Sequence, residues 1–226
     1  MGFGQVLRPE PVATFALGEA LEGNTSDAAT SGIQARYGAT VSHMKRTQEL
    51  AGRVAVGLGL SADEIRVVRY AAVVHDVGKL GVPDSILDKP GKLSKLEWVI
   101  VRRHAEMGAE MLSWIAGFER VCAVVAAHHE RLDGRGYPAG LVGPDIPIEA
   151  RLISVVDAYD AMTSDRPYRR ALSHGRAMEQ LDSGAGSQFD SAVVAATKAM
   201  LCGNGRGYAA VAGSHPRRRG HAGRQP

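Results

Sequence analysis

Thiols are almost missing from this chain. Of its 226 residues only Cys122 and Cys202 are cysteine, and they do not form a CxxC pair. A disulfide framework and a thiolate zinc ribbon are therefore excluded, and each cysteine is expected to act as a small buried apolar residue. Long apolar runs are missing too. The longest is Val121 to Ala127, far too short to span a bilayer. The first ten residues, MGFGQVLRPE, lack a charged stretch followed by an apolar one, so no secretory signal is read and a cytoplasmic location is expected. No segment alternates apolar and polar residues long enough for a strand, and nothing repeats. Acidic residues are absent from positions 203 to 226, which hold Arg206, Arg217, Arg218, Arg219 and Arg224. The net charge of +3 is therefore a tail property, with −2 left for residues 1 to 202. The Gly-, Pro- and Arg-rich tail is expected to be a disordered, solvated segment rather than a nucleic-acid arm.

Helical periodicity begins near residue 37. Residues 1 to 36 read as an N-terminal arm, partly helical or flexible, and residues 37 to 202 as one all-helical domain. Two helix starts carry S-x-x-E capping boxes, Ser61 to Glu64 and Ser94 to Glu97, in which serine and glutamate satisfy free backbone N–H groups. The first is expected to open a helix to about Lys79 and the second a helix to about Trp114. Other helices are expected over about 40 to 57, 118 to 129 and 149 to 163, with shorter ones near 173 to 182 and 190 to 201.

Polar residues interrupt the apolar stripes of these helices. Ile65, Val68 and Ala72 lead to His75 and Lys79; Leu96 and Ile100 lead to His104; Val121, Cys122 and Val125 lead to His128 and His129. Leu50, Val54 and Thr47 share a row with His43, and Ile153 and Val156 share a side with Asp157 and Asp160. A lone inward histidine is usually a core imidazole with one hydrogen bond. Five imidazoles, with Asp76 and Asp157, carry a desolvation cost that calls for a shared partner. A metal cluster supplies it, and a donor set without thiolate favours Fe or Mn over structural zinc. A carboxylate such as Asp76 can bridge two cations, and two ions roughly 3.5–4 Å apart can hold a hydroxide and clamp a phosphoryl group.

Three stretches strongly resemble the HD-GYP branch of the HD phosphohydrolase superfamily. They are HDVGKLGVPDSILDKPGKLS at 75 to 94, HHERLDGRGYPAGL at 128 to 141, and ARLISVVDAYDAMTSDRPYR at 150 to 169. The resemblance covers about residues 40 to 200. It implies an all-α HD-domain bundle with C-terminal extension helices. It also implies a metal-dependent phosphodiesterase that hydrolyses the bacterial messenger cyclic di-GMP to pGpG or GMP. Carried onto matching positions, the metal ligands are His43, His75, Asp76, His104, His128, His129 and Asp157. Asp76 and Lys79 are the catalytic pair, with Lys79 beside the phosphate or the attacking water. Tyr137, Arg166 and Arg169 contact the dinucleotide, and Asp160 holds a guanine or orients the arginines. Arginine suits phosphate because its planar fork presents paired donors.

The chain departs from the pattern at Ala39, where three-metal members carry glutamate; two divalent ions are therefore expected. Glu130 is read as a supporting or solvent-facing group without a catalytic role. Asp133, Gly134, Gly136 and Pro138 are read as shaping a turn that carries Tyr137. Expected partners are cyclic di-GMP or a related cyclic dinucleotide, a diguanylate cyclase or receiver-domain protein, and a second copy of the chain. The alternatives are hydrolysis of another cyclic dinucleotide or nucleotide, and a catalytically weak module that binds nucleotide or a cyclase.

Overall fold

The computed structural model describes residues 40–165 and 170–203. The N-terminal arm, the basic tail beyond Gly203, Ala39, Arg166 and Arg169 lie outside the described residues. The described chain is helical and has no strand. In order it runs α1 (Thr40–Gly57), α2 (Ala62–Val74), a tight 3-10 turn (Val77–Gly81), and α3 (Asp84–Leu87). Then follow α4 (Lys95–Arg102), α5 (His104–Leu112), α6 (Glu119–Ala127), α7 (Ile148–Thr163), α8 (His174–Gly184) and α9 (Ser191–Leu201). None of these helices is long and apolar enough to cross a membrane.

Local chemistry sets the starts. Both capping boxes form, with Ser61 accepting from the Glu64 N–H and Ser94 from the Glu97 N–H, while each glutamate reaches back to its serine. Asp190 caps α9 through the N–H groups of Ala192 and Val193. The core is mostly alanine, valine and leucine. Val54, Val68, Ala71, Val125, Leu152, Val156 and Val193 are all fully or almost fully buried. Small and β-branched side chains let α2 lie closely between α1, α6 and α7, with α9 closing over α1 and α7.

The structure corrects four sequence expectations. The helix opened by Ser61 stops at Val74 instead of running to Lys79, and the chain continues in the 3-10 turn. The helix expected from Ser94 to about Trp114 is broken at Arg103 into α4 and α5. With that break the expected inward stripe fails: Leu96 is 78% exposed, Ile100 is 38% exposed, and α4 buries no residue. Cys202 is exposed rather than buried.

The turn after α2 is governed by Gly78. A Cβ there would overlap the His104 carbonyl and the Gly108 amide, so the turn runs backbone against backbone along α5. This approach sets Asp76 beside His104. Gly78→Ala must push α5 away, and we expect it to cost about 3 kcal/mol by urea denaturation and to weaken divalent-metal affinity. Wild-type stability in that variant would contradict the close-approach account.

Candidate metal centre

Three of the ligand histidines stand where helices end. His75 follows the last residue of α2, His128 follows the last residue of α6, and His104 lies just past α4. A helix C-terminus has carbonyls with no partner in the helix. Each ring uses one. His75 Nδ1 donates to the Ala72 carbonyl at 3.0 Å, His104 Nδ1 to Val101 at 2.7 Å, and His128 Nδ1 to Val125 at 2.6 Å. A carbonyl only accepts, so each Nδ1 carries the hydrogen and each Nε2 is left with a bare lone pair.

Those lone pairs converge. His104 Nε2 lies 3.3 Å from His128 Nε2, and His75 Nε2 is buried with no hydrogen-bond partner. Two bare acceptors at this separation repel unless a cation or proton lies between them. Burial opposes the proton. Desolvation, helped by the neighbouring imidazoles, drives His128 well below the ordinary histidine range and His129 down to about 3. Desolvation also lowers His104, against the pull of Asp76. A divalent cation satisfies these atoms without protonating them. The negative ends of α2, α4 and α6 face the same region and favour positive charge there.

Two donor groups result, each with its atoms within 4.8 Å: Asp76, His104, His128 and His129 in one, His43, His75 and Asp157 in the other. Neither contains a thiol. Asp76 faces both groups. Its Oδ1 is 3.4 Å from His104 Nε2, and its Oδ2 is 3.7 Å from His75 Nε2. Asp157 Oδ1 stands 3.7 Å from His43 Nε2 and 3.9 Å from His75 Nε2. Burial would raise Asp76, but Lys79, whose Nζ donates to Oδ2 at 2.5 Å, and the surrounding histidines hold it well below the usual carboxylate range. All seven sequence-predicted ligands and Lys79 are thus brought together.

Asp160 is expected to hold a base or orient Arg166 and Arg169, which lie outside the described residues; among the described residues it bonds to α1. It is buried beneath His43, accepting from His43 Nδ1 at 2.7 Å and from Arg46 Nε and Nη2. Burial works against its charge, yet the His43 and Arg46 hydrogen bonds outweigh it and keep the carboxyl at about 2. The bond turns the His43 Nε2 toward Asp157. Burial opposes charge on the His43 ring as well, but Asp160, Asp157 and Asp76 together raise it. Arg46 was missed in the sequence; its one signal is standing three residues after His43.

Tyr137 stacks on His129, with ring centroids 4.8 Å apart and planes at 29°. The loop bearing it hangs on Glu130, which is buried and accepts from the backbone N–H groups of Ala139, Gly140 and Leu141. Gly136 fits only without a side chain, because a Cβ would strike the Glu130 backbone. The turn itself closes through Asp133, which accepts from Arg131 and from the Arg135 N–H.

The sequence profile of the HD domain family matches residues 29–193. The chain is 46% identical over 160 residues to the cyclic di-GMP phosphodiesterase response regulator RpfG of Xanthomonas campestris, covering 70% of this chain and 42% of that protein. It is 36% identical to the 3'3'-cGAMP-specific phosphodiesterase 3 of Vibrio cholerae, covering 75% of this chain and 37% of that protein. The chain therefore spans less than half the length of these relatives. In fold it is similar to Bd1817, a HDG"Y"P protein from Bdellovibrio bacteriovorus, with a TM-score of 0.59 at 18% identity over 84% of this chain and 61% of that one.

Two substitutions test this geometry. Asp160→Asn removes the charge that aims His43, and divalent-metal affinity should fall about 10- to 100-fold by calorimetric titration, with helix content unchanged. Glu130→Ala strands three backbone donors and should cost about 3 kcal/mol of unfolding free energy, while His75 and Asp157 keep their positions. Unchanged metal affinity in the first, or unchanged stability in the second, would contradict these roles.

Proposed function

The chain belongs to the HD domain family, in its HD-GYP branch, and from that premise we propose that it is a metal-dependent phosphodiesterase of cyclic dinucleotides. Cyclic di-GMP is the first substrate, and the products are pGpG, GMP or both. The observation that carries the reading is the pair of donor groups joined by Asp76, with imidazole lone pairs that have no other use. Two divalent ions, Fe or Mn by the nitrogen and oxygen character of the donors, fit those groups. When bound, such ions polarise a phosphoryl oxygen and lower the pKa of water.

The chain's own residues do the rest. Asp76 offers one oxygen to each donor group and so keeps the two in register. Lys79, held on Asp76, presents an ammonium at the edge of the cluster where phosphorane charge develops. Asp160 and Arg46 fix His43; Tyr137 covers His129 and keeps water from that side. Arg166 and Arg169 are assigned to the dinucleotide. Cyclic GMP–AMP is the second substrate to examine, because the Vibrio cholerae relative's name specifies it.

Metal-free protein should be inactive and should regain turnover of cyclic di-GMP on addition of Fe(II) or Mn(II) without oxygen. Asp76→Asn should lower kcat on the order of a thousand-fold or more, read by chromatography of the linear products. Wild-type turnover by that variant, or by chelator-treated protein, would overturn the reading.

A further inference from the structure

Arg102 ends α4 at the rim of the cluster. Its guanidinium carbon lies 5.2 Å from the centre of the Tyr137 ring and 5.9 Å from that of Trp98. Tyr137 in turn stacks on His129. A column of His129, Tyr137, Arg102 and Trp98 therefore leads outward from a metal ligand to solvent. Arg102 is exposed, and among the described residues its N–H groups meet no carboxylate and no carbonyl. Two neighbouring arginines differ: Arg46 is spent on Asp160, and Arg131 on Asp133.

A guanidinium packed on aromatic faces leaves its in-plane donors free, and such a fork matches the paired oxygens of a phosphate. α4 has no buried residue, and Trp98 remains 48% exposed. Core packing therefore does not account for the indole's place beside the arginine. The two phosphates of a cyclic dinucleotide stand on opposite sides of one macrocycle. When one is at the metal ligands, the other must be met outside the cluster.

We propose that Arg102, held between Tyr137 and Trp98, binds the phosphate of a cyclic dinucleotide that is not being cut. This rests on the phosphodiesterase reading of the site and adds to it a second anion subsite. Arg102 is a binding residue here and touches none of the seven ligands. Its loss weakens the nucleotide and leaves metal affinity alone.

The test uses the manganese-loaded full chain and a phosphorothioate analogue of cyclic di-GMP that is cut slowly, with Kd read by calorimetry. Arg102→Ala should weaken the analogue about 10- to 100-fold, with manganese affinity within about two-fold of wild type. Arg102→Lys keeps the charge without the fork and should fall between. Unchanged nucleotide affinity in Arg102→Ala overturns the proposal. So does a matching loss of manganese affinity, which would mean that Arg102 acts only by propping Tyr137 on His129. A wild type that binds the analogue but never cuts cyclic di-GMP defeats the phosphodiesterase reading and leaves the Arg102 comparison standing. A wild type that does not bind it overturns both.

Discussion

Everything at this site depends on where three imidazole protons are. His75, His104 and His128 each give Nδ1–H to a carbonyl at a helix end, and each is left with a lone pair aimed at a common space. One interaction thus does two jobs. It satisfies a carbonyl that the helix geometry leaves over, and it fixes the tautomer needed for metal ligation. The ends of α2, α4 and α6 must then meet. Gly78 permits this by letting the turn after α2 lie directly on α5.

The two flanks of the centre are held by different means. On one side a carboxylate in a low-dielectric setting, Asp160, grips His43 and Arg46 across more than a hundred residues of sequence. On the other, Glu130 gathers three backbone N–H groups and hangs the Tyr137 loop over His129. Each carboxylate anchors a neighbouring part and does not itself point at the metal donors. Asp76 and Asp157 are left to do that.

Much of this was legible in the sequence. Capping boxes at Ser61 and Ser94 act within four residues, so they read correctly. The rows that carry His43, His75 and His128 read correctly as inward because each ends on a buried stripe or beside one. The stripe through Leu96 and Ile100 misled, since a helical period shows which face is apolar but not whether anything covers it. The break at Arg103 was hidden as well. It comes with the His104 ring bonding to Val101, a competition that propensity does not register. The partners of Glu130 and Asp160 were not legible for a shared reason: they lie 9 to 11 and 114 to 117 residues away.

The central claim is that these rings are set for a cation before one arrives. It is tested most directly by nitrogen–proton correlation NMR of the imidazoles in metal-free protein at neutral pH. The account predicts that His104 and His128 are neutral, that all three rings carry a proton on Nδ1, and that their Nε2 signals shift when a diamagnetic divalent ion is added. A charged His104 or His128, a proton on Nε2 in place of Nδ1, or Nε2 signals that ignore the ion would contradict it.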